Sequence, residues 1–369
     1  MSASNDGESA TSTAGWFARY FGFDEHGTDL QTEVLAGITT FLTMSYIVVV
    51  NPAIMAGIPN EKPGVIIDGY SYAEVTEMLA VVTILSAVVA IAVMAFYANR
   101  PFGLAPGMGL NAFFAFTVVE AMGIPWETAL AAVVTEGVLF VALTIFGARE
   151  YIVRLFPEPV KWSVGTGIGL FLAIIGLQEM RVVVDDPATL VTLGNLASDP
   201  VAVLSVVGLL FTLVLYARGV RGSILIGILA TTALGWGLTF AGVAEPGVLA
   251  PESIPDAQYN IMPLAGAFLA GFQNVEAFTF AMVVFTFFFV DFFDTAGTLV
   301  GVSQIAGFLD EHGNLPKMTQ PLMADAVGTT VGGMLGTCTV TTYIDSATGI
   351  EEGGRTGMTA LVIGLLFVA

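Results

Sequence analysis

The sequence predicts an all-α polytopic membrane protein, and three observations carry that prediction. Of 369 residues, 55% are hydrophobic and only 11% are charged, with a mean hydropathy of +0.82; a soluble domain carries about 25% charged residues. Apolar runs of ~20 residues recur, each long enough to cross a bilayer as a helix. The basic residues also fall on one side of the resulting map. A transmembrane β-barrel would show short alternating segments instead.

Residues 1–15 are polar and acidic with no apolar core, so they read as a disordered N-terminus rather than a signal peptide. Apolar spans are expected near 34–50, 75–96, 126–146, 162–178, 201–217, 223–242, 276–297, 321–336 and 356–369. Two further stretches are apolar but interrupted. Residues 103–122, GLAPGMGLNAFFAFTVVEAM, open with closely spaced Gly and Pro, and residues 336–350, GTCTVTTYIDSATGI, are rich in Thr and Gly. Neither opening supports an unbroken helix. Short extended segments are expected there, and such backbone is tolerated at membrane depth only where protein or a cavity surrounds it.

The basic residues test this map. With both interrupted stretches counted as spans and the N-terminus in the cytoplasm, Arg19, Arg100, Arg149, Arg154, Lys161, Arg218, Arg221, Lys317 and Arg355 fall inside. Only Lys62 and Arg181 fall outside, as the positive-inside rule requires. Removing the first interrupted stretch alone would send Arg149, Arg154 and Lys161 outside. Eleven membrane elements result. The last, TGMTALVIGLLFVA, is too short to span, so further C-terminal spans are expected to be missing.

The interrupted elements are third and tenth in order. Paired interruptions at corresponding places in two halves point to a transporter site, and an odd offset of seven gives the halves opposite orientation. Residues 16–242 then form a first seven-span repeat, 243–275 an acidic extracellular connection, and 276–369 a truncated second repeat. Between the halves only NAFF (111–114) and TTYI (341–344) invite direct comparison.

Charge excludes other classes. With 31 acidic against 11 basic residues the net charge is −20, and no basic stripe exists to meet phosphates, so nucleic-acid binding is ruled out. The acids suit a solvated exterior in a salt-loving host. The single Cys338 allows no internal disulfide, and His26 and His312 lie far apart in polar connections, so no metal site is expected.

The stretch VFTFFFVDFFDTAG, residues 284–297, places Asp291 and Asp294 in an otherwise apolar helix. A charge at the bilayer centre costs roughly 2.5–3.5 kcal/mol on insertion scales, so these carboxylates must face protein or water. Spaced by three, they share a helix face. Such groups accept a substrate donor or carry a proton, and two so close resist ionising together. Asp294 lies nearer the Gly-Thr break than Asp291. In VTTYIDSATG, Asp345 sits among the hydroxyls of Thr341, Thr342 and Tyr343. It either meets a ligand at the N-terminus of the next helix or caps that helix at Ser346. Asn111 offers a donor and an acceptor, or is a turn residue. The 287–289 run, Phe113 and Phe114 could stack a substrate ring, though most of these phenylalanines are expected to face lipid. Asp325 reads as a cap opening the ninth span, Glu120 and Glu136 as lone acids, and Arg355 as a boundary marker.

Five collinear motifs now carry a resemblance: NPAIMAGIP, YANRPFGLAPGMGLNAFFAF, GIGLFLAIIGLQ, FVDFFDTAGTLVGV and TTYIDSATGIEEGGRTG. Together, from about residue 16 onward, they resemble the AzgA-like purine permeases of the nucleobase:cation symporter-2 family. The resemblance implies a fourteen-span fold of two inverted repeats, divided into core and gate, with the last three spans absent here. It implies proton-driven uptake of adenine, guanine or hypoxanthine across the plasma membrane, and no enzyme. Asp294 matches the eighth-span acid, Asp345 the tenth-span acid, and the backbone of Asn111, Ala112 and Phe113 the third-span contribution; Thr342 and Tyr343 complete the expected binding set. Asp294, Asp345 and Asp291 are the expected proton carriers. The tenth-span acid is usually Glu, so the shorter Asp345 calls for a bridging water. The expected partners are a purine nucleobase and the bilayer, with a homodimer left open. No cofactor is expected beyond the coupling proton, with Na⁺ as its alternative. Rival readings are a transporter of uracil, xanthine or an anion on the same fold, and an intramembrane aspartyl protease, for which the GxGD-type motif is absent.

Overall fold

Glycines in the left-handed region set the first corners of the chain. In the computed structural model the described residues are 8–148, 151, 158–186, 189–220, 222–250, 259–273, 276–311 and 315–369. Helix α1 (Glu8–Phe21) turns at Gly22, with φ +69°, into α2 (Phe23–His26). The N-terminus is thus helical from Glu8, within the stretch expected to be disordered. The reason is apolar: Phe21 and Phe23 bury against Met358 and Val362, with Phe17 packed alongside. Residues 1–7 of that stretch lie outside the described residues.

The first span is two helices, α3 (Leu30–Met44) and α4 (Ile47–Met55), opened by Asp29 accepting the Thr32 N–H at 2.9 Å. The second, α5 (Tyr72–Val93), starts in a capping box between Ser71 and Glu74 and continues through π-helical turns at Met94–Ala98. The first interrupted element is strand β1 (Leu104–Pro106), helix α6 (Met108–Ala112) and further π-helical turns, Phe113–Ala121. Then come α7 (Trp126–Ile145) and α8 (Glu158–Glu179). A hairpin of β2 (Val183–Asp186) and β3 (Leu190–Leu193), which apolar patterning alone does not reveal, precedes α9 (Pro200–Ala217) and α10 (Ser223–Phe240). The expected 243–275 connection contains α11 (Phe268–Gly271), and its residues 251–258 and 274–275 lie outside the described residues. Glu276 caps α12 (Ala277–Ile305) by accepting from the Phe278 and Thr279 amides, bonds that hold its carboxyl below the ordinary range. The chain ends with α13 (Thr319–Leu335), β4 (Val340–Thr342), α14 (Ser346–Glu351) and α15 (Gly357–Val368). Six described helical stretches are long and apolar enough to cross a membrane, the longest at Ala277–Ile305.

The chain divides into two units, residues 1–162 with 259–369, and residues 163–258. In the second unit α9 and α10 approach closely at reciprocal glycines: a Cβ on Gly208 would collide with Thr231, and one on Gly227 with Thr212. Each threonine turns its hydroxyl back onto its own helix, Thr212 to Gly208 O at 2.8 Å and Thr231 to Gly227 O at 2.7 Å, which removes its polar cost in an apolar setting.

The first unit holds both interrupted elements. There α13 packs against α5 and α7 through small residues, with Gly328 on Ala90 and Gly137 on Thr330. Helix α3 packs on α14 and α15, where Gly349 meets Ala36 and Thr40, and Gly37 meets Val362. The start of α15 is capped from a distance. Glu33 of α3, fully buried, accepts the Arg355 N–H at 2.9 Å, the Thr359 N–H at 3.1 Å and the Thr359 hydroxyl at 2.6 Å. These donors satisfy amides that a helix start leaves orphaned, and the carboxylate complements the helix dipole. The Arg355 guanidinium donates to the Ile350 and Gly354 carbonyls.

Candidate substrate site at the paired broken spans

Strands β1 and β4 satisfy each other. They pair antiparallel, Leu104 opposite Thr342, Ala105 opposite Thr341 and Pro106 opposite Val340, and all six residues are buried. Two bonds flank the ladder, Gly107 N–H to Thr339 O and Tyr343 N–H to Gly103 O, both 2.9 Å. Unpaired backbone at membrane depth would cost several kcal/mol per group, so each broken span requires the other. The side chains add to the lock: the Gly103 N–H donates to Ser346 Oγ at 3.0 Å, and the Tyr343 hydroxyl to Pro106 O.

Two carboxylates stand open beside this pair. Asp294 of α12 is half-buried, and a Cβ on Gly107 would lie 3.8 Å from its Oδ2. Asp345 is half-buried in the turn between β4 and α14. Neither side chain hydrogen-bonds to another described residue. The capping reading of Asp345 is therefore corrected: it occupies the N-cap position, but only its backbone carbonyl binds the helix, accepting from the Thr348 N–H and hydroxyl. The phenol of Tyr343, 5% exposed, lies within electrostatic reach of both acids.

Deeper acids form a separate node. Asp291 and Asp325 are fully buried, and the Thr295 hydroxyl sits 3.1 Å from a carboxylate oxygen of each and 3.1 Å from Thr341 Oγ1. One hydroxyl proton cannot serve both carboxylates at once, so Thr295 can donate to only one of the two at a time. Asp325 is no cap; it lies inside α13, where it faces α12. Glu136 is not alone either, since Thr339 Oγ1 donates to its Oε2 at 3.3 Å.

The first broken span behaves differently. Asn111 is fully buried, and its Nδ2 donates to Asn51 Oδ1 at 2.9 Å. Asn51 in turn donates to Thr83 Oγ1 at 2.7 Å and Thr337 Oγ1 at 2.9 Å. This amide chain ties three helices to the segment before β4, so one Asn111 N–H is engaged inside the protein, while its Oδ1 has no hydrogen-bond partner among the described residues. Ala112 is fully buried in α6, and Thr342 is buried with its hydroxyl unpartnered. Phe113, half-buried, stands edge-on to Phe287 with centroids 5.0 Å apart, while Phe114 is core. The lipid-facing expectation for most of the 287–289 run, Phe113 and Phe114 needs correction: Phe287 and Phe114 are fully buried, Phe113 and Phe288 half-buried, and Phe289 alone of the five is exposed. NAFF and TTYI are not equivalent, since one begins in α6 and the other runs from β4 into a turn.

Residues not singled out from sequence join the site. Tyr46, 5% exposed at the α3–α4 junction, lies within electrostatic reach of Asp345 and Tyr343. Asn51 could have been noticed as an amide inside the apolar run SYIVVVNPAIM. Among the described residues, no group of three or more His, Cys, Asp or Glu is arranged to hold a metal ion.

The family model described as "Permease family" (Xan_ur_permease) matches residues 31–369. The chain belongs to this permease family. An adenine permease of Escherichia coli is 40% identical over 359 residues, covering 97% of this chain and 75% of its own length. A guanine/hypoxanthine permease of Bacillus subtilis is 39% identical over 355 residues, covering 95% and 76%. Among solved structures, the transmembrane domain of a cyanobacterial bicarbonate transporter, BicA, matches with a TM-score of 0.64 at 16% identity, over 92% of this chain and 81% of that one. The permease is thus a helical, multi-pass plasma-membrane transporter with a BicA-like fold, not an enzyme. The resemblance carried by the five motifs is borne out.

Proposed function

We propose that this permease takes up purine nucleobases, adenine, guanine or hypoxanthine, by proton-coupled alternating access. The observation that carries the reading is a pair of half-buried carboxylates, Asp294 and Asp345, that hydrogen-bond to no other described residue and lie beside the paired broken spans. Relatives at about this distance are named for adenine and for guanine/hypoxanthine. A purine presents ring N–H and amino donors, and a carboxylate in a dry site accepts them strongly. The substrate would lie between these acids, with Tyr343 and the Phe113 ring as walls and the Asn111 and Thr342 oxygens as spare acceptors. Coupling would use a proton on Asp294, Asp345 or the Asp291–Thr295–Asp325 node; a bound substrate then changes which carboxyl keeps it. The unit containing both broken spans would act as the core of two inverted repeats, and residues 163–258 as part of the gate. The N-terminus would face the cytoplasm, and a homodimer would fit the same scheme.

The test is uptake of radiolabelled adenine, guanine, hypoxanthine and uracil by vesicles holding the protein, with and without an imposed pH gradient. Gradient-dependent accumulation of a purine, abolished by a protonophore and unaffected by replacing Na⁺ with choline, is the expected outcome. Accumulation of uracil alone, or of no base, would overturn the substrate; dependence on Na⁺ would overturn the coupling ion.

A further inference from the structure

Helix α1 carries aromatic residues on two adjacent stripes, and only one of them is used inside the protein. Phe17 and Phe21, four apart, turn inward onto the cluster with Phe23, Met358 and Val362. Trp16 and Tyr20, also four apart, turn outward: they are 49% and 47% exposed and stack on each other with centroids 5.3 Å apart. The helix is held in place by bonds near its end. The Tyr20 hydroxyl donates to Phe96 O at 3.1 Å, and Asn99 Nδ2 donates to Phe21 O at 3.1 Å. The same Asn99 accepts the Gly357 N–H at 2.7 Å, so α1 is fastened to the start of α15.

Where α1 is fastened decides what its outer stripe meets. Phe96 and Tyr97, 46% and 51% exposed, lie on the last turn of the membrane-spanning stretch Tyr72–Ala98. Tyr20 packs edge-on to Phe96 at 6.1 Å, so the outer stripe of α1 is continuous with the exposed end of a span. Tryptophan and tyrosine concentrate at the boundary between headgroups and acyl chains, where an apolar ring with a polar edge is favoured. Three such rings, Trp16, Tyr20 and Tyr97, gather with Phe96 at one span end, with Arg19 beside them, and have the chemistry of that boundary rather than of a water-facing tail.

We propose that α1 lies in the membrane interface, its Trp16–Tyr20 stripe inserted about 5–10 Å into the headgroup and acyl boundary. The occupant of this surface is lipid, recognised by its apolar–polar boundary and not by headgroup charge, since Asp24 and Glu25 follow the helix directly. This placement does not depend on the substrate.

The test uses the full chain in phosphatidylcholine vesicles, with Trp126, Trp162 and Trp236 replaced by Phe so that Trp16 alone emits. Bromine atoms near the top of the acyl chain should quench it more than bromines near the end, with blue-shifted emission. Water-like emission with no quenching, or strongest quenching from the deepest bromines, would overturn the placement. A second route keeps the other three tryptophans: Trp16→Cys carrying a nitroxide, with the buried Cys338 not competing for label. Collisions with oxygen should dominate those with a water-soluble nickel chelate at this position, and the reverse at Asp24→Cys. Chelate dominance at both positions would overturn the proposal.

Discussion

The first broken span passes from strand to helix through Gly107 alone, whereas the second takes Tyr343, Ile344 and Asp345 between β4 and α14. The short passage leaves no room for chemistry: a Cβ on Gly107 would lie 2.9 Å from Thr341 Cγ2. The longer passage carries a half-buried carboxylate, Asp345, and a buried phenol, Tyr343. Across the ladder the contrast repeats, with Leu104, Ala105 and Pro106 facing Val340, Thr341 and Thr342. The first span thus supplies backbone and a buried amide brace, and the second supplies side-chain chemistry. Two chain breaks that look alike as interruptions thus differ in what they present: backbone and a braced amide in the first, a carboxylate and hydroxyls in the second.

The widest separation should come from Asp345→Asn against Asn111→Ala. Losing a charged acceptor removes roughly 1.5–3 kcal/mol, so purine affinity in Asp345→Asn should fall on the order of 10- to 100-fold, read as competition in uptake, with little change in melting temperature. Asn111→Ala strands the Asn51 oxygen instead, at about 1–3 kcal/mol of stability; thermal unfolding in detergent should register it while purine affinity moves less. Equal loss of affinity in both variants would erase the division. A smaller effect is expected from Tyr343→Phe, which deletes the bond to Pro106 O and about 0.5–1.5 kcal/mol; a melting shift without change in maximal uptake is the outcome to look for. Thr342→Val should be the mildest. Its hydroxyl has no hydrogen-bond partner among the described residues, so stability should stay within about 0.5 kcal/mol, and any fall in purine affinity would place that hydroxyl against the substrate.

Composition and apolar run length were enough to read the helical membrane class, and the Gly, Pro and Thr interruptions were enough to locate both strands. Asp294 and Asp345 were legible because a carboxylate in an apolar run has few benign explanations. Asp325 and Glu136 were just as visible but were read as a cap and a lone acid, because their partners Thr295 and Thr339 lie 30 and 203 residues away. Spacing reports only neighbours on the same helix, so contacts between helices stay silent. Asn111 shows the same limit: its role depends on Asn51, 60 residues earlier. The helix α1 was hidden by its polar first half, and what fixes it, Phe21 on Met358 and Val362, is a contact with the far end of the chain.

Glu33 turns that distance into a matter of timing. Its first partner, the Arg355 amide, is separated from it by 322 residues. At synthesis rates of ~5–20 residues per second, the carboxylate enters the membrane on the order of tens of seconds before any of its donors exists. Throughout that interval Glu33 lacks the amides that satisfy it in the finished fold, so the first span must keep it in contact with water. It can settle to its final depth only when residues 355–359 arrive. The cap on α15 therefore makes the last helix seen here a checkpoint for the first, and a nascent chain halted before it would hold the opening span in a provisional position.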